Sequence, residues 1–146
     1  MTQDVQSIKN LVYSYAELLD TGDLEGLGRL FREATLRTKG SSEVLEGASA
    51  VQGLIESFVH LYDGIPSTKH LITNLIVEVD DDRKSATARS YYAALQTRPE
   101  FPLQPIIAGR WHDRFVRERA EWRFADRLIY ADLFGDLRFH IEDLAA

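Results

Sequence analysis

The sequence predicts an α+β domain in which N-terminal helices pack on one antiparallel sheet. Apolar residues recur at helical spacing in the first part of the chain, and alternating segments rich in β-branched residues follow, separated by short turns. Helices first and strand hairpins afterwards are typical of this class. The 146 residues contain no linker, repeat or low-complexity segment, so residues 1–146 are expected to form a single domain.

The first predicted helix ends where a carboxylate follows its apolar face. The stop signal Thr21-Gly22-Asp23 comes directly after an apolar stripe of Val5, Ile8, Leu11, Val12, Tyr15, Leu18 and Leu19. Asp20 lies one turn beyond Ala16 and two turns beyond Tyr13, so the three share a side of the helix. A carboxylate at the edge of an apolar surface favours a raised pKa and acid–base chemistry, although most aspartates are simply solvated.

Two shorter helices and two short strands are expected next. Asp23 can cap a helix over residues 24–31. Residues 34–39 and 43–46 predict strands on either side of a turn at residues 40–42. Gly47 opens the third helix, which ends at Gly64-Ile65-Pro66.

The second half of the chain predicts four longer strands, over residues 69–79, 85–97, 106–117 and 122–133. Pro99, Pro102 and Pro105 predict a loop between the second and third of these, because proline cannot donate to a central ladder. Residues 134–146 are expected to add a helical turn.

Alternation along residues 69–79 places His70 on a largely apolar face. That face carries His70, Ile72, Asn74 and Ile76, and the opposite face carries Leu71, Thr73, Leu75, Val77 and Val79. Both faces are apolar enough to be covered, so His70 and Asn74 each need a partner. A satisfied core histidine is the simpler interpretation of His70.

Asp113 is predicted to lie between two aromatic residues on the inward face of its strand. Trp111 and Phe115 share that face. A buried carboxylate must be paired, hydrogen-bonded or protonated. A salt bridge to Arg127 or Arg89 and a functional role are therefore both open.

Other polar residues are weaker candidates. Tyr91 either presents its hydroxyl to a cavity or packs as an ordinary aromatic residue. Alternation turns His112 toward solvent, beside Arg110 and Arg114. His60 and His140 are expected on the surface.

Composition excludes several classes of function. The net charge of −6 disfavours a nucleic-acid partner, and no apolar run is long enough to span a membrane. With no cysteine, no HExxH pattern and no glycine-rich phosphate loop, neither a metal nor a cofactor is expected. The polar N-terminus is unlike a signal peptide, which predicts a cytoplasmic protein. Any chemistry would then be acid–base catalysis by His, Asp and Tyr.

Three blocks of sequence resemble SnoaL-like proteins of the nuclear-transport-factor-2-like superfamily. They are residues 13–20 followed by 23–24, residues 67–74, and residues 108–115 followed by 122–125. The resemblance implies a cone-shaped, strongly curved and mostly antiparallel sheet, wrapped around N-terminal helices and enclosing an apolar pocket. The superfamily includes dehydratases, isomerases, polyketide cyclases and epoxide hydrolases, together with non-catalytic small subunits, so the fold predicts a pocket without specifying a reaction.

Scytalone dehydratase is the enzyme that the blocks resemble most. In that enzyme an Asp at the end of the first helix orients a strand His that acts as base and acid, and Asp20 and His70 match these two positions. Trp111 stands where that enzyme has a cavity Asn. Its two catalytic tyrosines and its second histidine correspond to Leu19, Gly40 and Leu95, so scytalone itself is not the expected substrate.

The resemblance implies a cofactor-independent lyase or isomerase acting on a hydrophobic, cyclic small molecule. Asp20 and His70 would be catalytic, and the substrate would contact Tyr13, Asn74, Tyr91, Trp111, Asp113 and Phe115. Tyr91, Asn74 or Asp113 would polarise the substrate oxygen. The alternative is a non-catalytic binding or assembly subunit, with an apolar outer face through Leu71, Leu75 and Val77. That face would also suit a homo-oligomer, either a dimer or a trimer.

Overall fold

The computed structural model describes residues 2–141, with side chains from residue 3 onward. The described helices are α1 (Thr2–Thr21), α2 (Leu24–Arg29) and α3 (Ala48–Phe58). The described strands are β1 (Thr35–Thr38), β2 (Val44–Glu46), β3 (Thr68–Val79), β4 (Ser85–Arg98), β5 (Phe101–Glu118) and β6 (Glu121–Phe134). Residues 142–146 of the predicted tail lie outside the described residues.

The strands form one curved, open sheet in the order β2-β1-β6-β5-β4-β3. Neighbouring strands are antiparallel except β1 and β6, which run parallel. The predicted α+β class is confirmed. Within residues 2–141, no helix is long and apolar enough to cross a membrane.

Strand β5 begins earlier than the prolines predicted. Pro102 and Pro105 lie inside the strand, so the expectation of a loop there is wrong. The pairing with β6 begins only at Ile107, opposite Phe134. Residues 101–106 therefore pair with β4 alone, and a strand with one unpaired side tolerates the missing N–H groups.

A β-bulge in β3 reverses the predicted alternation after Thr73. Asn74 has a φ of +53°, and the pairing with β4 jumps from Thr73–Tyr91 to Ile76–Arg89, so that Asn74 and Leu75 together oppose one residue. The inner face carries His70, Ile72, Leu75, Val77 and Val79, while Asn74 and Ile76 are exposed. The predicted placement of Asn74 and Ile76 beside His70 is wrong, and so is an outer face through Leu75 and Val77.

The core lies between α1 and the inner face of the sheet. α1 contributes Ile8, Val12, Tyr15 and Leu19, which pack in one cluster with aromatic residues of the sheet. The ring of Trp111 stacks on Tyr92, with centroids 4.9 Å apart, and meets the edge of Tyr15 at 5.2 Å. The inner face is therefore filled by large side chains at its centre.

An ion pair is buried in this aromatic core. The guanidinium of Arg127 donates two hydrogen bonds to Asp113, from Nε at 2.7 Å and from Nη2 at 2.8 Å, and neither side chain is exposed. The guanidinium carbon also lies 3.8 Å from the ring centre of Trp111 and 4.3 Å from that of Tyr15. The structural alternative for Asp113, a salt bridge to Arg127, is confirmed.

Replacing Asp113 by Asn is expected to destabilise the fold strongly. The substitution leaves the Arg127 charge buried without a counter-ion, which typically costs about 3–5 kcal/mol. Urea unfolding followed by circular dichroism measures the change. Asp132→Asn, which breaks the exposed pair with Arg110, is the control and should change the free energy of unfolding far less. Equal, small losses in the two variants would show that the buried pair does not stabilise the core.

Candidate acid–base site

Asp20 joins the end of α1 to the start of β3 through three hydrogen bonds. Its Oδ1 accepts from the Thr68 hydroxyl at 2.7 Å and lies 2.7 Å from Nδ1 of His70. Its Oδ2 accepts from the backbone N–H of His70 at 2.8 Å. The side chains of Asp20 and His70 are only 9% and 6% exposed, so the bonds are shielded from water.

The ends of both elements explain this contact. β3 is an edge strand, so its outward N–H groups lack a strand partner, and Asp20 accepts one of them. α1 stops at Thr21 because Gly22 adopts a φ of +80°. A Cβ on Gly22 would also meet the Gly64 carbonyl oxygen at 1.8 Å. Glycine at this position therefore lets the chain turn sharply just after Asp20.

The electrostatics of Asp20 differ from the sequence expectation. Burial raises the pKa of Asp20, but the hydrogen bond and charge of His70, the His70 amide and the Thr68 hydroxyl together lower the pKa below its ordinary value. The expectation of a raised pKa is therefore wrong, and Asp20 is a carboxylate at neutral pH. Such a carboxylate accepts a hydrogen bond from a protonated Nδ1. In the neutral ring, Nε2 of His70 then carries no proton and can act as a base.

A groove of about 300 Å³ opens beside this pair, between α1 and β3. Its walls are formed by Tyr13, Ala16, Glu17, Asp20, Thr21, Lys69, His70 and Ile72. Tyr13 is 44% exposed. Tyr13, Ala16 and Asp20, which were predicted to share one side of the first helix, thus form the wall that α1 contributes to the groove.

The other predicted substrate contacts lie elsewhere. Tyr91 is 52% exposed on the outer face of the sheet, and Asn74 is exposed at the β3 bulge. Trp111, Asp113 and Phe115 are at most 2% exposed, inside the packed core. The structure brings Tyr13, Asp20 and His70 together and separates the remaining five from them.

A second histidine lies next to His70 and was missed in the sequence. His140 is 5% exposed, and its ring centre is 6.3 Å from that of His70. Burial, together with the charge of His70, lowers the pKa of His140 to about 4. The expectation that His140 is a surface residue is wrong; His60 is half-buried, while His112 is exposed as predicted.

Side chains that could bind a metal ion do not cluster in the described part of the chain. Among residues 2–141, no three His, Asp or Glu side chains are arranged to hold a metal ion.

The fold and the site define an NTF2-like α+β domain with an Asp–His pair at the end of its first helix. A profile of the SnoaL-like domain matches residues 1–128, and the chain belongs to that family. The expected family is thereby confirmed. It is a family whose fold includes isomerases and cyclases.

Solved structures share the fold. An NTF2-like protein with a cystatin-like fold from Novosphingobium aromaticivorans has a TM-score of 0.75 at 22% identity, over 89% of this chain and 82% of that chain. A candidate scytalone dehydratase from the same bacterium has a TM-score of 0.71 at 21% identity, over 93% and 91%. ActVI-ORFA from Streptomyces coelicolor has 0.71 at 17% identity, over 88% and 96%. A search of curated proteins finds no match.

His140 is expected to make stability depend on pH between pH 6.5 and about 4. Because the pKa of His140 is lower in the folded state than its ordinary 6.5, the unfolded chain binds the extra proton first. Stability contributed by the neutral ring is therefore present above pH 6.5 and is lost as pH falls through this window. Urea unfolding at pH 7, 6 and 5 measures the slope.

His140→Asn should flatten that slope, and His112→Asn on the exposed face should leave it unchanged. An identical slope in wild type and His140→Asn would contradict the assignment of a neutral, buried His140.

Proposed function

We propose that the protein is a cofactor-independent lyase or isomerase that moves a proton next to the carbonyl of a hydrophobic, cyclic small molecule. The observation that carries this proposal is the 2.7 Å contact between Asp20 and Nδ1 of His70 at the wall of a groove. A carboxylate that orients an imidazole in this way is a recurring arrangement of general acid–base catalysis.

His70 performs the proton transfers. With Nδ1–H directed to Asp20, neutral Nε2 accepts the proton from the carbon next to the carbonyl, which forms an enolate and an imidazolium. The Asp20 carboxylate stabilises the imidazolium. The imidazolium then returns its proton to a leaving hydroxyl, which departs as water, or to another carbon, which gives the isomer. The base is regenerated in either case.

The groove suits a ring of modest size. Tyr13, Ala16 and Ile72 offer apolar contacts in the same groove as the Asp20–His70 pair. Glu17 and Lys69 supply charge at the same groove. A hydrophobic ring bound against the apolar side chains would exclude water from His70 and strengthen its interaction with Asp20.

The outer face of the sheet favours a second candidate function, a non-catalytic binding or assembly subunit. A groove of about 450 Å³ lies there, lined in part by Leu71, Tyr91 and Leu133. These side chains are 47%, 52% and 68% exposed, which is unusual for large apolar residues that share one groove. In this alternative, as in a homodimer or homotrimer, the outer face would be covered by another chain.

Exchange of the α-protons of 1-tetralone for deuterium is the test of the enzyme proposal. This cyclic ketone needs no leaving group, so exchange followed by proton NMR in D₂O reports on proton removal alone. His70→Gln should lower the protein-catalysed rate about a hundredfold or more, because it removes the base. Asp20→Asn should also lower it strongly, because the tautomer of His70 is no longer held.

His112→Gln is the matched control, since this exposed histidine lies outside the groove, and it should exchange at the wild-type rate. Equal rates in His70→Gln and wild type, or no exchange by the wild type, would overturn the enzyme proposal. In the latter case, a concentration-dependent mass in analytical ultracentrifugation would favour the assembly alternative.

A further inference from the structure

The C-terminal segment is fastened so that His140 lies beside His70. The Phe139 carbonyl oxygen accepts hydrogen bonds from Nε2 of Gln96 at 3.1 Å and from the Tyr62 hydroxyl at 2.5 Å. The carbonyl oxygen of His140 itself accepts from the His60 N–H at 2.9 Å. Residues from two separate segments, Gln96 in β4 and the stretch from His60 to Tyr62, thus fix the backbone on both sides of the Cα of His140.

The ring of His140 keeps an unused hydrogen-bonding atom. Among the described residues, Nδ1 of His140 has no hydrogen-bond partner although the atom is buried. Buried polar atoms in native proteins nearly always have a partner, and an exception calls for an explanation such as strain, a bound water or ion, or a catalytic role. The His70 ring, 6.3 Å away between centres, has its described hydrogen bond at Nδ1.

The enzyme proposal also requires a donor for the substrate oxygen. Tyr91 and Asn74 are exposed and outside the groove, and Asp113 is paired with Arg127 in the core. None of these three predicted residues can reach an oxygen held next to His70. His140 lies beside His70, with 6.3 Å between the two ring centres.

Building on the proposed function, we propose that His140 is a catalytic residue that donates a hydrogen bond from Nδ1–H to the substrate carbonyl oxygen. The oxygen would be held between the two rings while His70 removes the adjacent proton, and the bond from His140 would strengthen as the oxygen gains enolate charge. No proton leaves His140 in this step. Such donors, aimed at the atom where charge develops, act strongly in water-excluded sites.

The surroundings of His140 support a neutral donor. With a pKa lowered to about 4, mainly by burial, the ring is uncharged at neutral pH. His70 and His60 oppose a positive charge on it and Asp20 favours one, so these three groups set its charge state. A neutral imidazole can polarise a carbonyl without placing a second cation beside a protonated His70.

Two substitutions at position 140 separate a catalytic role from a structural one. His140→Leu removes the donor and should lower kcat for tetralone exchange about a hundredfold, with a much smaller change in KM. His140→Asn carries an amide N–H near the position of Nδ1 and should recover most of that loss. Equal rates in wild type and His140→Leu would overturn the proposal. So would equal losses in the Leu and Asn variants, provided that both are folded by circular dichroism.

Binding of 1-naphthol, which resembles the enolate in shape and oxygen position, tests the same contact without turnover. Its fluorescence titration should show weaker binding to His140→Leu than to wild type and no change for His112→Leu. The Nδ1–H signal of His140 in proton–nitrogen NMR should move on binding.

The two proposals fail separately. Absence of tetralone exchange, combined with naphthol binding that depends on His140, would remove the enzyme proposal and keep the oxygen contact. Exchange that depends on His70 but not on His140, with an unmoved His140 signal, would remove only the role of His140.

Discussion

The geometry of the site depends on the hydrogen bonds that the carboxylate of Asp20 accepts. It accepts hydrogen bonds from the backbone N–H of His70, the hydroxyl of Thr68 and the imidazole Nδ1–H of His70. One side chain therefore fastens the C-terminal end of α1 to the start of β3. A carboxylate in the last turn of a helix opposes the helix dipole. Its hydrogen bonds offset that cost and the cost of burial. A local preference violated in this way is common where function constrains the sequence.

The packing of the core determines where chemistry is possible on this fold. The centre of the inner face is filled by Trp111, Tyr92 and Tyr15 around the buried Arg127–Asp113 pair. The side chains of Asp20, Thr68, His70 and His140 lie together outside that cluster. The groove, the Asp–His pair and the second histidine therefore share one end of the sheet.

Periodicity predicted the fold well because most strands and helices here alternate regularly between covered and exposed faces. The end of α1 and the cap at Asp23 followed from elementary rules of capping. For Asp113, charge burial predicted that a partner or a functional role was needed but left Arg127, Arg89 and a functional role open. The bulge at Asn74 did not follow from such rules, because asparagine tolerates a positive φ but does not by itself show that the strand pairing shifts at this residue. The extension of β5 through Pro102 and Pro105 could not be predicted either. It depends on which side of the strand is unpaired, and tertiary structure determines that.

The candidate site was predictable only in part. His70 and Asp20 were found through the family resemblance, and Thr68 lay in the same block without a signal of its own. His140 carries no sequence pattern, since the tail has no clear periodicity. The segment around it is held by hydrogen bonds from Gln96, Tyr62 and the His60 backbone, which lie far from residue 140 in sequence.

The tautomer of His70 tests the central claim most directly. Long-range proton–nitrogen NMR distinguishes a neutral imidazole protonated at Nδ1 from one protonated at Nε2. The account predicts protonation at Nδ1 in the wild type, directed at Asp20, and loss of that preference in Asp20→Asn. A neutral His70 protonated at Nε2, or a tautomer that does not respond to Asp20→Asn, would contradict it.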